Sequence, residues 1–83
     1  MNVVLQLIQD FLAGRIHAWA FSCAVEDYLL DHYDEMKAEN AAAAEILNDN
    51  LPDICGDCEP GISDEAIFDR VNAEYQRVLS VLD

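Results

Sequence analysis

The chain has 83 residues, and its 17 acidic residues face only four Lys and Arg, for a formal charge of −13. Its length allows one domain, 1–83, and four bases cannot neutralise many phosphates, so direct nucleic-acid binding is excluded and an anionic membrane would repel it. An apolar share of 53% argues against simple disorder, because disordered acidic chains are poor in apolar residues.

Helical periodicity dominates. Val4, Leu5, Ile8, Phe11 and Leu12 recur at three- and four-residue spacing, so residues 2–13 read as an amphipathic helix that Gly14 can end. A second helix is predicted from Ala18 to Met36, with Phe21, Ser22, Val25, Leu29, His32, Tyr33 and Met36 on its apolar stripe. At about 100° per residue, Asp27, Asp31 and Asp34 fall on the opposite side, with Glu35 at the edge. Residues 38–50 read as a shorter helix built on the Ala41–Ala44 run and stopped by Pro52. Residues 52–63 hold both prolines and two of the three glycines and read as the longest loop. Ser63 or Asp64 can cap the last helix, whose stripe is Ile67, Phe68, Val71, Tyr75, Val78, Leu79 and Leu82. Arg70, Glu74 and Arg77 form a charged ladder towards its other side. No run alternates at period two, so no strand is expected. The fold class is all-α, an antiparallel four-helix bundle.

The N-terminus lacks a positively charged region, and Gln6, Gln9 and Asp10 interrupt its apolar run, so it does not read as a secretion signal. No apolar stretch approaches the roughly 20 residues of a membrane span. The odd count of three cysteines suits a reducing compartment, and the protein is placed in the cytoplasm.

Few motifs carry chemistry. Cys55-Gly56-Asp57-Cys58 is a CxxC, but a thioredoxin-type dithiol needs a βαβ setting and zinc needs two more ligands. Cys23, His17 and His32 are candidates, but none forms a second paired motif, so the two cysteines read as locally packed loop residues and no metal or cofactor is expected. His32 reads as a partly buried, hydrogen-bonded packing residue and His17 as an exposed turn residue. No Ser or Cys has an evident base and orienting acid, so no catalytic residue is assigned. An EF-hand loop starting at Asp49 would need oxygen ligands at its third and fifth positions and Gly at its sixth; the chain offers Leu51, Asp53 and Ile54, so Leu51 and Ile54 break the pattern. An acyl carrier protein is also small, acidic and helical, but Ser22, Ser63 and Ser80 all lack its Asp-Ser-Leu attachment context.

The pattern Leu7-Ile8-x-x-Phe11-Leu12-Ala13-x-x-Ile16-x-Ala18-x-x-Phe21-Ser22 resembles the opening helix and turn of the colicin-like self-immunity family, the relatives of the colicin D immunity protein. The Glu59-Pro60 pair before an acid-led final helix is similar too. The likeness is densest over the first third of the chain, and the Ala41–Ala44 run and the CxxC depart from it. The resemblance implies a non-enzymatic immunity protein for a bacteriocin or contact-dependent inhibition system. Its partner would be a basic, tRNA-cleaving nuclease toxin domain, inhibited in a one-to-one complex by a carboxylate-rich surface filling the active-site cleft.

The charge pattern asks for such a partner independently, since a nuclease needs Lys and Arg for phosphates. Asp53, Asp57, Glu59 and Asp64 are the first candidates for toxin contact, because the segment from Asp49 to Glu65 holds acids without bases. The row of Asp27, Asp31, Asp34 and Glu35 is the second. Trp19 reads as a core residue, with a surface aromatic anchor as the alternative. The competing functions are an acidic nucleic-acid mimic that blocks a DNA-binding protein and a small CxxC metal-binding protein.

Overall fold

The computed structural model describes residues 1–82. Four helices follow one another, α1 (Asn2–Leu12), α2 (Ala18–Glu39), α3 (Ala41–Gly56) and α4 (Glu65–Val81), and the described residues contain no strand. Each packs on its neighbours in sequence, and α1 and α4 also pack, closing a four-helix bundle.

Long-range bonds fix its sense. At one end, the Met1 ammonium lies 3.4 Å from Glu39 Oε1 and Asn40 Nδ2 donates to the Val81 carbonyl at 3.1 Å. At the other, Asp64 reaches Ala18 and Asp57 reaches Arg70. The start of α1 therefore meets the end of α2, and the end of α3 meets the first turns of α4. Sequence neighbours run antiparallel, as short connections require.

The core follows the apolar spacing. Val4, Ile8 and Phe11 of α1 are buried, and Phe11 stacks on Phe21 of α2 with ring centroids 4.9 Å apart. Val25, Leu29 and Met36 continue the layer along α2, Leu47, Leu51 and Ile54 face them from α3, and Ile67, Val71 and Val78 complete it from α4. Gly14, with φ of +79°, supplies the left-handed residue in the turn after α1.

The structure corrects several expectations. The second helix runs to Glu39, three residues past Met36, and the break falls at Asn40 (φ −158°, ψ 101°). Asn40 Oδ1 accepts the Ala43 amide at 3.0 Å, a side-chain N-cap that starts α3 at Ala41 rather than at residue 38.

Pro52 does not stop α3; it lies inside it. Proline offers no N–H to the Asn48 carbonyl and costs about 3 kcal/mol in a helix interior. Continuing to Gly56 buries Ile54 and Cys55. At about 1.5–3 kcal/mol for a fully buried large aliphatic side chain, that burial offsets the proline. The long loop consequently shrinks to residues 57–64, Cys55 becomes helical, and Asp53 is a helix residue instead of a loop residue.

On α4, Phe68 and Leu79 are partly exposed, at 39% and 40%, and the fourth member of the buried stripe is Glu74. The charged ladder is divided. Arg77 Nη1 donates to Glu74 Oε1 at 2.6 Å, whereas Arg70 leaves α4 to meet Asp57. Trp19 is 43% exposed, so it is a surface residue and not part of the core.

Candidate functional site

The electrostatics start with the bases. Arg15 Nη1 donates to Asp10 Oδ1 at 2.8 Å, Arg70 Nη1 to Asp57 Oδ2 at 2.8 Å, and Arg77 to Glu74, so three of the four Lys and Arg are held by carboxylates within the fold. The Arg15 hydrogen bond, then that of Gln6, holds the Asp10 carboxyl below its usual value. Little cationic charge is left to neutralise the remaining acids.

The first group of candidate acids is not brought together as one free row. Asp57 is occupied by Arg70. Asp64 Oδ1 accepts the Ala18 amide at 2.8 Å and Oδ2 lies 3.0 Å from His17 Nδ1. The His17 and Ala18 hydrogen bonds hold the Asp64 carboxyl below its ordinary value. Asp64 stands at the head of α4 but makes no side-chain cap there. Asp53 is exposed on α3, and Glu59 is exposed in the following loop. Among the described residues, neither of these two has a cationic partner.

The second group shares one helix. Asp27, Asp31 and Asp34 are exposed on the outward side of α2, and none is ion-paired among the described residues. Glu35 Oε2 lies 3.3 Å from His32 Nδ1, but off the direction that a hydrogen bond requires. That nitrogen is buried without a hydrogen-bond partner, although the His32 side chain as a whole is 40% exposed. His32 is therefore not the hydrogen-bonded packing residue its position suggested; its ring lies against Tyr28, with centroids 4.3 Å apart.

α3 adds acids that were not assigned from sequence. Glu45 and Asp49 are exposed and fall on the outward side of α3, as Asp27 and Asp34 do on α2. The signal was present, because Glu45 and Asp49 share a face at i, i+4. Between the two helices runs an open groove of about 250 Å³ lined by Glu26, Leu29, Leu30, Asn48 and Pro52.

The CxxC has little chemistry available. Burial, followed by the nearby Glu26, Cys58 and Cys23, pushes the Cys55 thiol up to about 12. Burial also raises Cys58, against a pull from the Ser22 hydroxyl, and its Sγ donates to the Ile54 carbonyl at 3.5 Å. A thiol so far above neutrality is a poor nucleophile and ligand. Among the described residues, no three His, Cys, Asp or Glu side chains converge to hold a metal ion. No helix of the described residues is long and apolar enough to cross a membrane.

No family model, curated protein or solved structure matches the chain.

Proposed function

We propose that the chain is a non-enzymatic immunity protein that binds and inhibits a nuclease toxin by presenting carboxylates to its basic cleft. The observation that carries this reading is the division of charge. Arg15, Arg70 and Arg77 are consumed in internal ion pairs, while Asp27, Asp31 and Asp34 stand exposed on one rigid helix without a cation. Like charges held together in a folded protein work against its stability, and a basic partner relieves that cost. A ribonuclease cleft, lined with Lys and Arg for phosphates, is such a partner.

The resemblance of the N-terminal pattern to the colicin-like self-immunity family narrows the partner to a tRNA-cleaving domain of a bacteriocin or contact-dependent inhibition system. The complex is one-to-one and forms in the cytoplasm, where the tRNA is. Opposite potentials steer association towards about 10⁸–10⁹ M⁻¹s⁻¹ at low salt.

The test adds the protein to a tRNA-cleaving toxin domain, taken from a neighbouring gene where one is found, in a tRNA-cleavage assay at two salt concentrations. A stoichiometric loss of cleavage, with association slowed by salt, is expected. Continued cleavage with excess folded protein rejects the reading for that toxin. A partner that binds duplex DNA and does not cut RNA would instead identify an acidic mimic.

A further inference from the structure

We infer that the groove between α2 and α3 receives a basic amphipathic segment of the partner, with an apolar side chain set against Leu30 and Pro52 and Lys or Arg side chains on the acids along both rims. The inference takes the partner's identity from the proposed function and adds where, and by what chemistry, it docks.

Leu30 is 84% exposed, the most exposed large hydrophobic side chain among the described residues. A single exposed Leu is ordinary. This one lies on the wall of the groove with Pro52 opposite, over the buried Leu29. Trp19, 43% exposed, lies on the same side of α2, because residues 19, 23, 26 and 30 follow each other at i+4, i+3 and i+4. The strip from Trp19 to Leu30 extends about 16 Å at 1.5 Å per residue.

The rims give the occupant its sign. Asp27 and Asp34 crest α2 and Glu45 and Asp49 crest α3, while Glu26 lines the groove itself. None of these five is ion-paired among the described residues. A second copy docked here would oppose acid to acid, and an acidic or neutral segment would leave the rims unanswered. The groove is open and falls below the roughly 300–1,000 Å³ of a small-molecule pocket, which suits a partner's side chain better than a free metabolite. An amphipathic helix laid in a groove, anchored at i and i+4 and flanked by bases, answers both the apolar strip and the two rims.

The test titrates the ¹⁵N-labelled protein with a synthetic helix-forming peptide carrying Leu at i and i+4 and Arg on both flanks. A scrambled peptide of the same composition is the control. Amide shifts confined to the stretches 19–34 and 45–53 are expected. Leu30→Ser, which changes no charge at an exposed position, should weaken binding about tenfold, the equivalent of about 1.4 kcal/mol, and scrambling should weaken it as much. Shifts that follow every acid, including Glu59, Glu65 and Asp69, would overturn the assignment. So would a Leu30→Ser variant that binds as well as the parent, or a self-dimer that this variant abolishes.

The toxin assay separates the two levels. If the parent blocks cleavage and Leu30→Ser blocks it with equal affinity, the groove is refuted and the immunity reading stands. If the parent fails to block cleavage, the immunity reading falls for that toxin and the peptide titration still decides the groove.

Discussion

Asp64 caps a helix 46 residues away: its Oδ1 accepts the Ala18 amide, the first N–H of α2, at 2.8 Å. An N-terminal amide has no partner within its own helix, and a carboxylate there is favoured further by the positive end of the helix dipole. His17, the N-cap residue of α2, makes no side-chain cap of its own and instead meets the other oxygen of Asp64. One carboxylate thus ties the start of α4 to the start of α2 and closes that end of the bundle.

Asp64→Ala is therefore expected to lower the melting temperature, although it relieves a charge of −13. Glu65→Ala makes the same charge change next door, without a long-range hydrogen bond, and is the control. The pH dependence has a definite sign. The folded Asp64 carboxyl lies below its ordinary 3.8, so its stabilisation is present above that value and is lost as pH falls through the folded pKa. Melts of the parent and Asp64→Ala by circular dichroism should differ at pH 6 and draw together only as pH falls below 3.8. Equal melting of the two variants at pH 6 would mean that the clasp does not stabilise the fold.

Pro52 is exposed and lies inside α3. Ala in its place restores an N–H for the Asn48 carbonyl and removes the ring, at the cost of a looser unfolded chain worth about 0.4–1 kcal/mol. The helix term is larger, about 3 kcal/mol, so Pro52→Ala should stabilise by about 2 kcal/mol. Urea unfolding reads this as a higher midpoint at constant slope. A lower midpoint would show that α3 requires the proline's local geometry.

Glu74 is a buried charged residue with both oxygens engaged, Oε2 by Asn50 Nδ2 at 2.8 Å and Oε1 by Arg77 at 2.6 Å. Removing it strands the Asn50 amide between α3 and α4. Hydrogen bonds to charged groups contribute about 1.5–3 kcal/mol, so Glu74→Ala should destabilise by about 2 kcal/mol. In a double-mutant cycle with Asn50→Ala, the coupling should be at least about 0.5 kcal/mol. Additive losses would mean that the two side chains stabilise independently.

Much of the fold was legible in the sequence because burial repeats at helical spacing. Val4, Ile8 and Phe11, or Val25, Leu29 and Met36, need no partner to be identified. Glu74 was equally legible by position, since residues 67, 71, 74 and 78 form an unbroken stripe, but its charge argued for the surface. Trp19, Phe68 and Leu79 sit at stripe edges, where spacing alone does not decide exposure. Pro52 misled because its local cost is visible in sequence, whereas the burial of Ile54 and Cys55 that offsets it belongs to the packed bundle. The break at Asn40 carried a capping residue before the alanine run, yet the flanking Lys37, Ala38 and Glu39 are all good helix formers and hid the exact boundary. The candidate surface was legible only as charge. Whether an acid is free depends on partners such as Arg70 for Asp57 or Ala18 for Asp64, and these meet only in the folded chain.

The three thiols should separate by reactivity. Cys23 is exposed, Cys55 and Cys58 are buried, and burial pushes Cys55 up to about 12. Brief iodoacetamide treatment at pH 8 should add one label, at Cys23, to the native protein, and labels at all three after denaturation, as read by mass spectrometry. An acid whose folded pKa is raised keeps its proton better in the folded state. Stability should therefore fall as pH rises from about 9 towards 12. Native labelling of Cys55 as fast as Cys23 would place that thiol outside the core.

The outward row of α2 should govern how fast the partner is met. Exposed charges act chiefly on encounter, and the effect is screened beyond about 10 Å at 0.1 M salt. Asp27→Asn, Asp31→Asn and Asp34→Asn together should slow association with the toxin domain about tenfold at low salt, with a much smaller change at 0.5 M. Asp57→Asn should lower stability slightly by releasing Arg70, and its effect on association should be smaller, because Arg70 already neutralises that carboxylate. Glu59→Gln is the decisive comparison, since Glu59 is the exposed acid of the 57–64 loop without an ion pair among the described residues. Stopped-flow association rates at two salt concentrations rank the two surfaces. A larger loss for Glu59→Gln than for the triple variant would return the interface to the loop and remove α2 from it.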